Sequence, residues 1–142
     1  MTDMLERSLK KAFIDQKIEG SLYDPKIIIN DTKNKQYMLN VLQNELETCE
    51  EFFFSVAFLT QDGLAALKTQ LADLHIRGIK GKILTSIYLA FNQPAVFEDL
   101  MKIPNVEVRI SKKPGFHSKG YLFKQLGYHS FIIGSSNLTI RD

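Results

Sequence analysis

Residues 52–58, Phe-Phe-Phe-Ser-Val-Ala-Phe, form a nearly continuous apolar run, and this run most constrains how the chain folds. The run is apolar at both odd and even positions, which is typical of a strand buried on both faces in the middle of a sheet. It is also too short to be a convincing helix. It therefore predicts a buried central strand.

Apolar residues at helical spacing mark four segments around this strand. We expect the second helix to be capped by Asp31 or Thr32, the third to begin at Gln61, and the fourth to begin at Pro94. Cys49 falls on the second apolar stripe, so we expect a core residue and not a nucleophile. In chain order, the stripes are Leu5, Leu9, Ala12 and Phe13; Met38, Val41, Leu42, Leu46 and Cys49; Leu64, Leu67, Leu71 and Leu74; and Val96, Phe97, Leu100 and Met101.

Further short strands are predicted around residues 82–86, 106–110, 116–124 and 130–134. Helices that alternate with strands, followed by consecutive strands, indicate an α/β sandwich in which a mixed β-sheet is flanked by helices. The sequence has no internal repeat, low-complexity tract or linker. Residues 1–142 are therefore predicted to form a single domain.

The composition of the 142 residues, 44% hydrophobic and 24% charged, is that of a globular protein. A single cysteine excludes an internal disulfide framework and a cysteine-built zinc site. No apolar run approaches the length of about 20 residues that spans a bilayer, and residues 1–13 lack the apolar core of a signal peptide. We therefore expect a cytoplasmic protein with no membrane partner.

The formal net charge of +2 is unevenly distributed. Residues 1–100 carry a net charge of −3, whereas residues 101–142 carry +5. A basic segment on a nearly neutral chain suggests an anionic ligand that is bound locally. A chance fluctuation in charge is the alternative.

Four polar residues in the basic segment have complementary chemistry. His117 and Lys119 are two residues apart in a predicted strand, so they share a face about 7 Å apart. Ser135 and Asn137 follow the next apolar strand, and pairing of the two strands as a hairpin brings all four to one rim. Imidazole is a nucleophile toward phosphorus, and an ammonium with neutral donors can hold phosphate oxygens. No carboxylate cluster of the kind a magnesium nuclease requires accompanies them.

At these residues the sequence resembles the phospholipase D superfamily, which is marked by His-x-Lys and a later Gly-Ser-x-Asn. The match is His117-x-Lys119 and Gly134-Ser135-x-Asn137, followed by Leu138-Thr139 as in the nuclease branch. The stretch FHSKGYLF…FIIGSSNLT is similar to the phospholipase D-like domain at the N-terminus of some bacterial superfamily 2 helicase-type proteins. The full motif has an aspartate five residues after its lysine, where this chain has Lys124.

The resemblance implies a metal-independent phosphodiesterase or nuclease without a cofactor. His117 is expected to form a phosphohistidine, while Lys119, Ser135 and Asn137 bind the phosphate oxygens. A second histidine must protonate the leaving oxygen, and the superfamily supplies it from a second copy of the motif. Because this chain has only one copy, a homodimer with the site on its two-fold axis is expected. We also expect the chain to be an N-terminal part of a larger protein that contains helicase domains.

Nucleic acid, DNA before RNA, is the expected substrate because basic residues surround the motif. The residues expected to contact its backbone are Arg109, Lys112, Lys113 and Lys124. A solvated basic loop is the simpler explanation for the Lys112-Lys113 pair. Two alternatives for the whole chain stay open: a non-catalytic nucleic-acid-binding or dimerisation module with a degenerate site, and a chance combination of strand and turn residues.

Overall fold

The computed structural model describes residues 28–31, 37–87 and 94–138. The chain divides into two units, Met1–Gln36 and Tyr37–Asp142, and the second unit contains all the elements named below. The first predicted helix, with its stripe from Leu5 to Phe13, lies outside the described residues.

The described helices and strands form an α/β arrangement. The strands make one five-stranded sheet in the order β3-β2-β1-β4-β5. β1, β2 and β3 run parallel, whereas β4 runs antiparallel to both β1 and β5. This mixed sheet with flanking helices confirms the predicted fold class. In chain order the elements are α1 (Met38–Thr48), β1 (Glu51–Val56), α2 (Gln61–Ala66), α3 (Lys68–Ile76), β2 (Lys80–Ser86), α4 (Pro94–Met101), β3 (Val106–Ser111), β4 (Lys119–Gln125) and β5 (Tyr128–Ile133).

β1 is the central strand, as the apolar run predicts, but only one of its faces is fully buried. Phe52 and Phe54 are buried in the same core cluster as the inward side chains of all four described helices. Phe53 points to the opposite face and is 37% exposed. The prediction of burial on both faces is therefore wrong, because the described helices cover the Phe52 side of the sheet.

The helices follow the predicted apolar stripes more closely than the predicted caps. α1 begins at Met38 with Tyr37 as its N-cap and no capping side chain, so the predicted start at Asp31 or Thr32 is wrong. A side-chain cap contributes only about 1 kcal/mol, which is less than the burial of the Met38 stripe. The third predicted helix begins at Gln61 as expected but is divided into α2 and α3 at the buried Leu67.

Two further sulfur-containing residues test the predicted stripes. Cys49 is buried, and burial raises the pKa of its thiol to about 11, so it remains protonated and unreactive at neutral pH. This confirms its assignment to the core. Met101 is 81% exposed at the end of α4, so its placement on a buried stripe is wrong.

Within the described ranges, every helix is too short or too polar to cross a lipid bilayer.

We predict that Gly81→Ala destabilises the protein, because Gly81 is the neighbour of Phe52 across the β1–β2 ladder. A methyl group at this position overlaps the ring of Phe52, which is fully buried and has no room to withdraw. The expected loss in the free energy of unfolding is about 1–3 kcal/mol, measured by urea denaturation. Gly134→Ala is the control, since its methyl group meets no atom within 4 Å. Equal stability of the two variants would contradict this packing.

Candidate active site

The predicted site residues lie at one edge of the sheet, where the ends of three strands meet. β1 ends at Val56, which pairs with Lys119 at the start of β4. The Ala57 N–H donates to the Ser118 carbonyl at 2.8 Å and extends this pairing beyond β1. On the other side of β4, the Gly134 N–H donates to the Lys119 carbonyl at 3.4 Å just after β5 ends. The antiparallel β4–β5 hairpin confirms the pairing on which the predicted convergence depends.

His117 and Lys119 are in direct contact. The Lys119 Nζ lies 3.0 Å from Nδ1 and 3.1 Å from Nε2 of His117, and it also donates to the His117 carbonyl at 3.3 Å. In a neutral imidazole one ring nitrogen carries a lone pair that can accept a hydrogen bond from an ammonium, and the same lone pair makes that nitrogen a nucleophile. His117 precedes β4, so its predicted place within a strand is wrong. The Ser55 hydroxyl donates a 2.8 Å hydrogen bond to the hydroxyl of Ser118, the residue between the pair.

Asn137 is held against the chain segment that follows β1. Its Oδ1 accepts a hydrogen bond from the Phe58 N–H at 3.3 Å. Leu138 pairs with Leu59 in an isolated parallel bridge, and its N–H donates to the Phe58 carbonyl at 3.3 Å. The second part of the motif is therefore bound to the backbone of Phe58, the residue whose ring contacts His117.

Ser135 is an exposed residue in the loop between β5 and this bridge. The loop is fixed on both sides of it: Gly134 binds the Lys119 carbonyl, and the Tyr121 hydroxyl donates to the Ser136 carbonyl at 3.0 Å. Ser135 therefore lies at the same rim as Lys119. His117 and Lys119 are in contact, Asn137 is joined to them through Phe58, and Ser135 lies on the loop between Gly134 and Asn137.

Phe58 is a member of this site that the sequence reasoning missed. Its ring lies 5.8 Å from the His117 ring at an interplanar angle of 76°, and the Lys119 Nζ is 5.9 Å from its centroid. The sequence assigned Phe58 to the buried strand because it closes the apolar run. The end of β1 at Val56 instead leaves Phe58 on the rim.

The four basic residues expected to contact nucleic acid occupy three different places. Lys112 and Lys113 are exposed on the loop between β3 and His117, in which Gly115 adopts a φ of +71° and the Phe116 N–H donates to the Lys113 carbonyl. Arg109 lies on the edge strand β3 and pairs with Glu107 at 2.6 Å. Of these residues, the Lys112-Lys113 pair lies on the loop that leads to His117, whereas Arg109 does not.

Lys124 lies at the opposite end of β4 from Lys119, about 17 Å away at the rise of a strand. Its ammonium pairs with Glu50 at 3.2 Å. The structure therefore does not bring Lys124 to the site. Because this position carries the aspartate of the full motif, a carboxylate here would also lie away from His117 in this chain.

Among the described residues, Lys119 and the Lys112-Lys113 pair contribute positive charge at or near the rim. Among residues 28–31, 37–87 and 94–138, no group of three or more His, Cys, Asp or Glu side chains is placed to hold a metal ion. The chemistry offered at the rim is an imidazole, an ammonium, a hydroxyl and an amide. These groups are suited to binding the oxygens of a phosphate and to attacking its phosphorus.

A scan against protein-family models finds no family that matches the chain, and a search of curated proteins finds no similar sequence. The resemblance to the phospholipase D superfamily therefore rests on the motif residues alone.

Proposed function

We propose that the protein is a phosphodiesterase of the phospholipase D type that cleaves DNA, or RNA as the second choice, through a phosphohistidine. The observation that carries this proposal is the contact between Lys119 and His117, with Asn137 bound to the backbone of Phe58, whose ring contacts both. A nucleophile and a cation at this separation can engage the same phosphate group. The ordering of both motif parts around one rim supports the resemblance that suggested the reaction.

The reaction proceeds in two steps. In the first, a His117 ring nitrogen attacks phosphorus, so a P–N bond forms while the bond to the leaving oxygen breaks and that oxygen takes a proton from a second histidine. In the second, water attacks phosphorus, the P–N bond breaks, and the second histidine recovers a proton from the water. Lys119, Ser135 and Asn137 stabilise the negative charge on the phosphate oxygens in both steps.

The second histidine comes from another copy of the chain. The sequence contains three histidines, and the other two are His75 and His129. His129 pairs with Lys124 at the far end of β4, and His75 lies in the last turn of α3, just before β2 begins at that same far end. Neither reaches the rim, whereas His117 is exposed there. We therefore propose a homodimer whose two-fold axis passes between two His117 side chains.

The resemblance also supports a wider setting for this activity. We propose that the chain acts in the cytoplasm as a module of a longer DNA-processing protein of the helicase-nuclease kind. The second candidate function is a non-catalytic nucleic-acid-binding or dimerisation module. It is favoured by Lys124, which occupies the position of the motif's aspartate and is engaged with Glu50. DNA binding without turnover would identify that second function.

The proposed activity is tested by the hydrolysis of bis(p-nitrophenyl) phosphate and of a labelled oligonucleotide, with and without EDTA. Wild-type protein is expected to cleave both, and the rate is expected to survive EDTA, since the steps above assign no role to a metal ion. Loss of the wild-type activity in EDTA would contradict the mechanism. Sedimentation of the active sample is expected to show a dimer.

We predict that Lys113→Ala weakens DNA binding and lowers the slope of log K against log salt by about 1, because one phosphate contact is lost. Lys124→Ala is the matched control, since Lys124 pairs with Glu50 at the far end of β4. Its binding constant and salt slope are expected to stay close to those of the wild type. Fluorescence anisotropy with a labelled oligonucleotide at several salt concentrations measures both. An equal effect of the two substitutions would contradict the assignment of the Lys112-Lys113 loop.

A further inference from the structure

We propose that Phe58 is the positioning residue of this site, holding the Lys119 ammonium beside His117 with its ring and Asn137 with its backbone. The inference deepens the proposed function and rests on it for the reaction concerned. The contacts themselves are independent of that reaction. Phe58 is half-buried just beyond the end of β1, so it is fixed by the sheet and still borders the rim.

The ring of Phe58 contacts both members of the His-x-Lys pair. Its centroid lies 5.9 Å from the Lys119 Nζ, which is within the range of an attraction between a cation and an aromatic ring. Its T-shaped contact with His117, at 5.8 Å and 76°, restricts rotation of the imidazole. One ring thus limits the freedom of the nucleophile and of the cation together.

A ring has an advantage over a carboxylate in this place. A carboxylate next to Lys119 would orient the ammonium but would also cancel the charge that attracts a phosphate. The ring attracts the ammonium through its quadrupole and carries no net charge. The cation is therefore held in place while the rim stays positive. Position 124, where the full motif has its aspartate, lies at the other end of β4 and does not orient Lys119.

The backbone of Phe58 makes a separate contribution. Its N–H donates to the Asn137 Oδ1, and its carbonyl accepts from the Leu138 N–H at 3.3 Å. Replacement of the side chain leaves both hydrogen bonds available. The two contributions can therefore be separated by substitution at this one position.

The test compares Phe58→Leu, Phe58→Tyr and the control Phe53→Leu, which removes a partly exposed ring from the opposite face of β1. Phe58→Leu is expected to lower kcat by about fivefold to tenfold with a smaller change in KM, because two aromatic contacts are lost. Phe58→Tyr keeps the aromatic face and is expected to restore most of the rate. A lower Tm with unchanged kcat, or no rescue by tyrosine, would overturn the inference and leave the proposed function intact.

A second readout does not depend on turnover. Inorganic phosphate is titrated into each variant while the ring-proton resonances of His117 are followed by NMR. Phe58→Leu is expected to shift these resonances before phosphate is added and to weaken phosphate binding several-fold, whereas Phe53→Leu does neither. Unchanged resonances and affinity overturn the positioning role. An inactive wild type that still shows the Phe58 effects overturns the proposed catalysis and supports the positioning of a phosphate-binding site.

Discussion

Replacing His117 with glutamine is expected to reduce phosphodiester cleavage by at least about 10³-fold, which corresponds to roughly 4 kcal/mol of barrier. The amide of glutamine can accept and donate hydrogen bonds, but it has no nucleophilic nitrogen with which to form the phosphoryl intermediate. In a homodimer the substitution also removes the acid, because both histidines of the shared site are His117. The loss is measured as kcat/KM on the oligonucleotide and on bis(p-nitrophenyl) phosphate.

His129→Gln is the control for this experiment. It makes the same chemical change at the far end of the sheet, where His129 pairs with Lys124 across β4 and β5. This variant is expected to retain wild-type kcat/KM. Full activity of His117→Gln, or an equal loss in His129→Gln, would show that the nucleophile lies elsewhere.

Replacing Phe54 with alanine is expected to lower the free energy of unfolding by about 3–5 kcal/mol. Phe54 is fully buried on the central strand, and its ring centroid lies 4.9 Å from Phe52, 5.1 Å from Tyr121 and 5.6 Å from Phe123. Truncation leaves a cavity on the core face of the sheet that the neighbouring rings cannot fill without leaving their own contacts. Urea denaturation at neutral pH measures the loss, which is a large fraction of the stability of a typical domain.

Phe53→Ala is the matched comparison on the same strand. Because Phe53 is 37% exposed on the other face, its loss is expected to be well under half that of Phe54→Ala. A larger loss at Phe53 than at Phe54 would mean that the core lies on the opposite side of β1.

The sequence contains enough information to predict the strands and the apolar helix faces, but not what covers each face. The run around Phe54 predicts a central strand because apolar side chains need burial wherever the strand lies. The exposure of Phe53 depends on which face the helices occupy, and this is decided by tertiary packing. The start of α1 at Met38 shows the same limit, because burial of Met38 outweighs the capping preference of an earlier Asp31.

Part of the site could also be predicted from the sequence. Strand pairing alone brings Lys119 near the segment that contains Asn137, so the motif and a predicted hairpin are sufficient to place these two residues close together. Phe58 could not be assigned, because its role depends on where β1 ends. The separation of Lys124 from Lys119 could have been predicted, because five residues of a strand span about 17 Å, whereas the ion pair of Lys124 with Glu50 depends on the register between β1 and β4.

In the proposed mechanism, His117 becomes covalently bound to phosphorus during turnover. The most direct measurement mixes wild-type protein with an oligonucleotide, stops the reaction in alkali, where phosphohistidine survives, and locates the adduct by peptide mass spectrometry. A nucleotide linked through phosphate to His117, absent from His117→Gln, is the predicted result. Turnover without an adduct at His117, or with an adduct on another residue, would contradict the account.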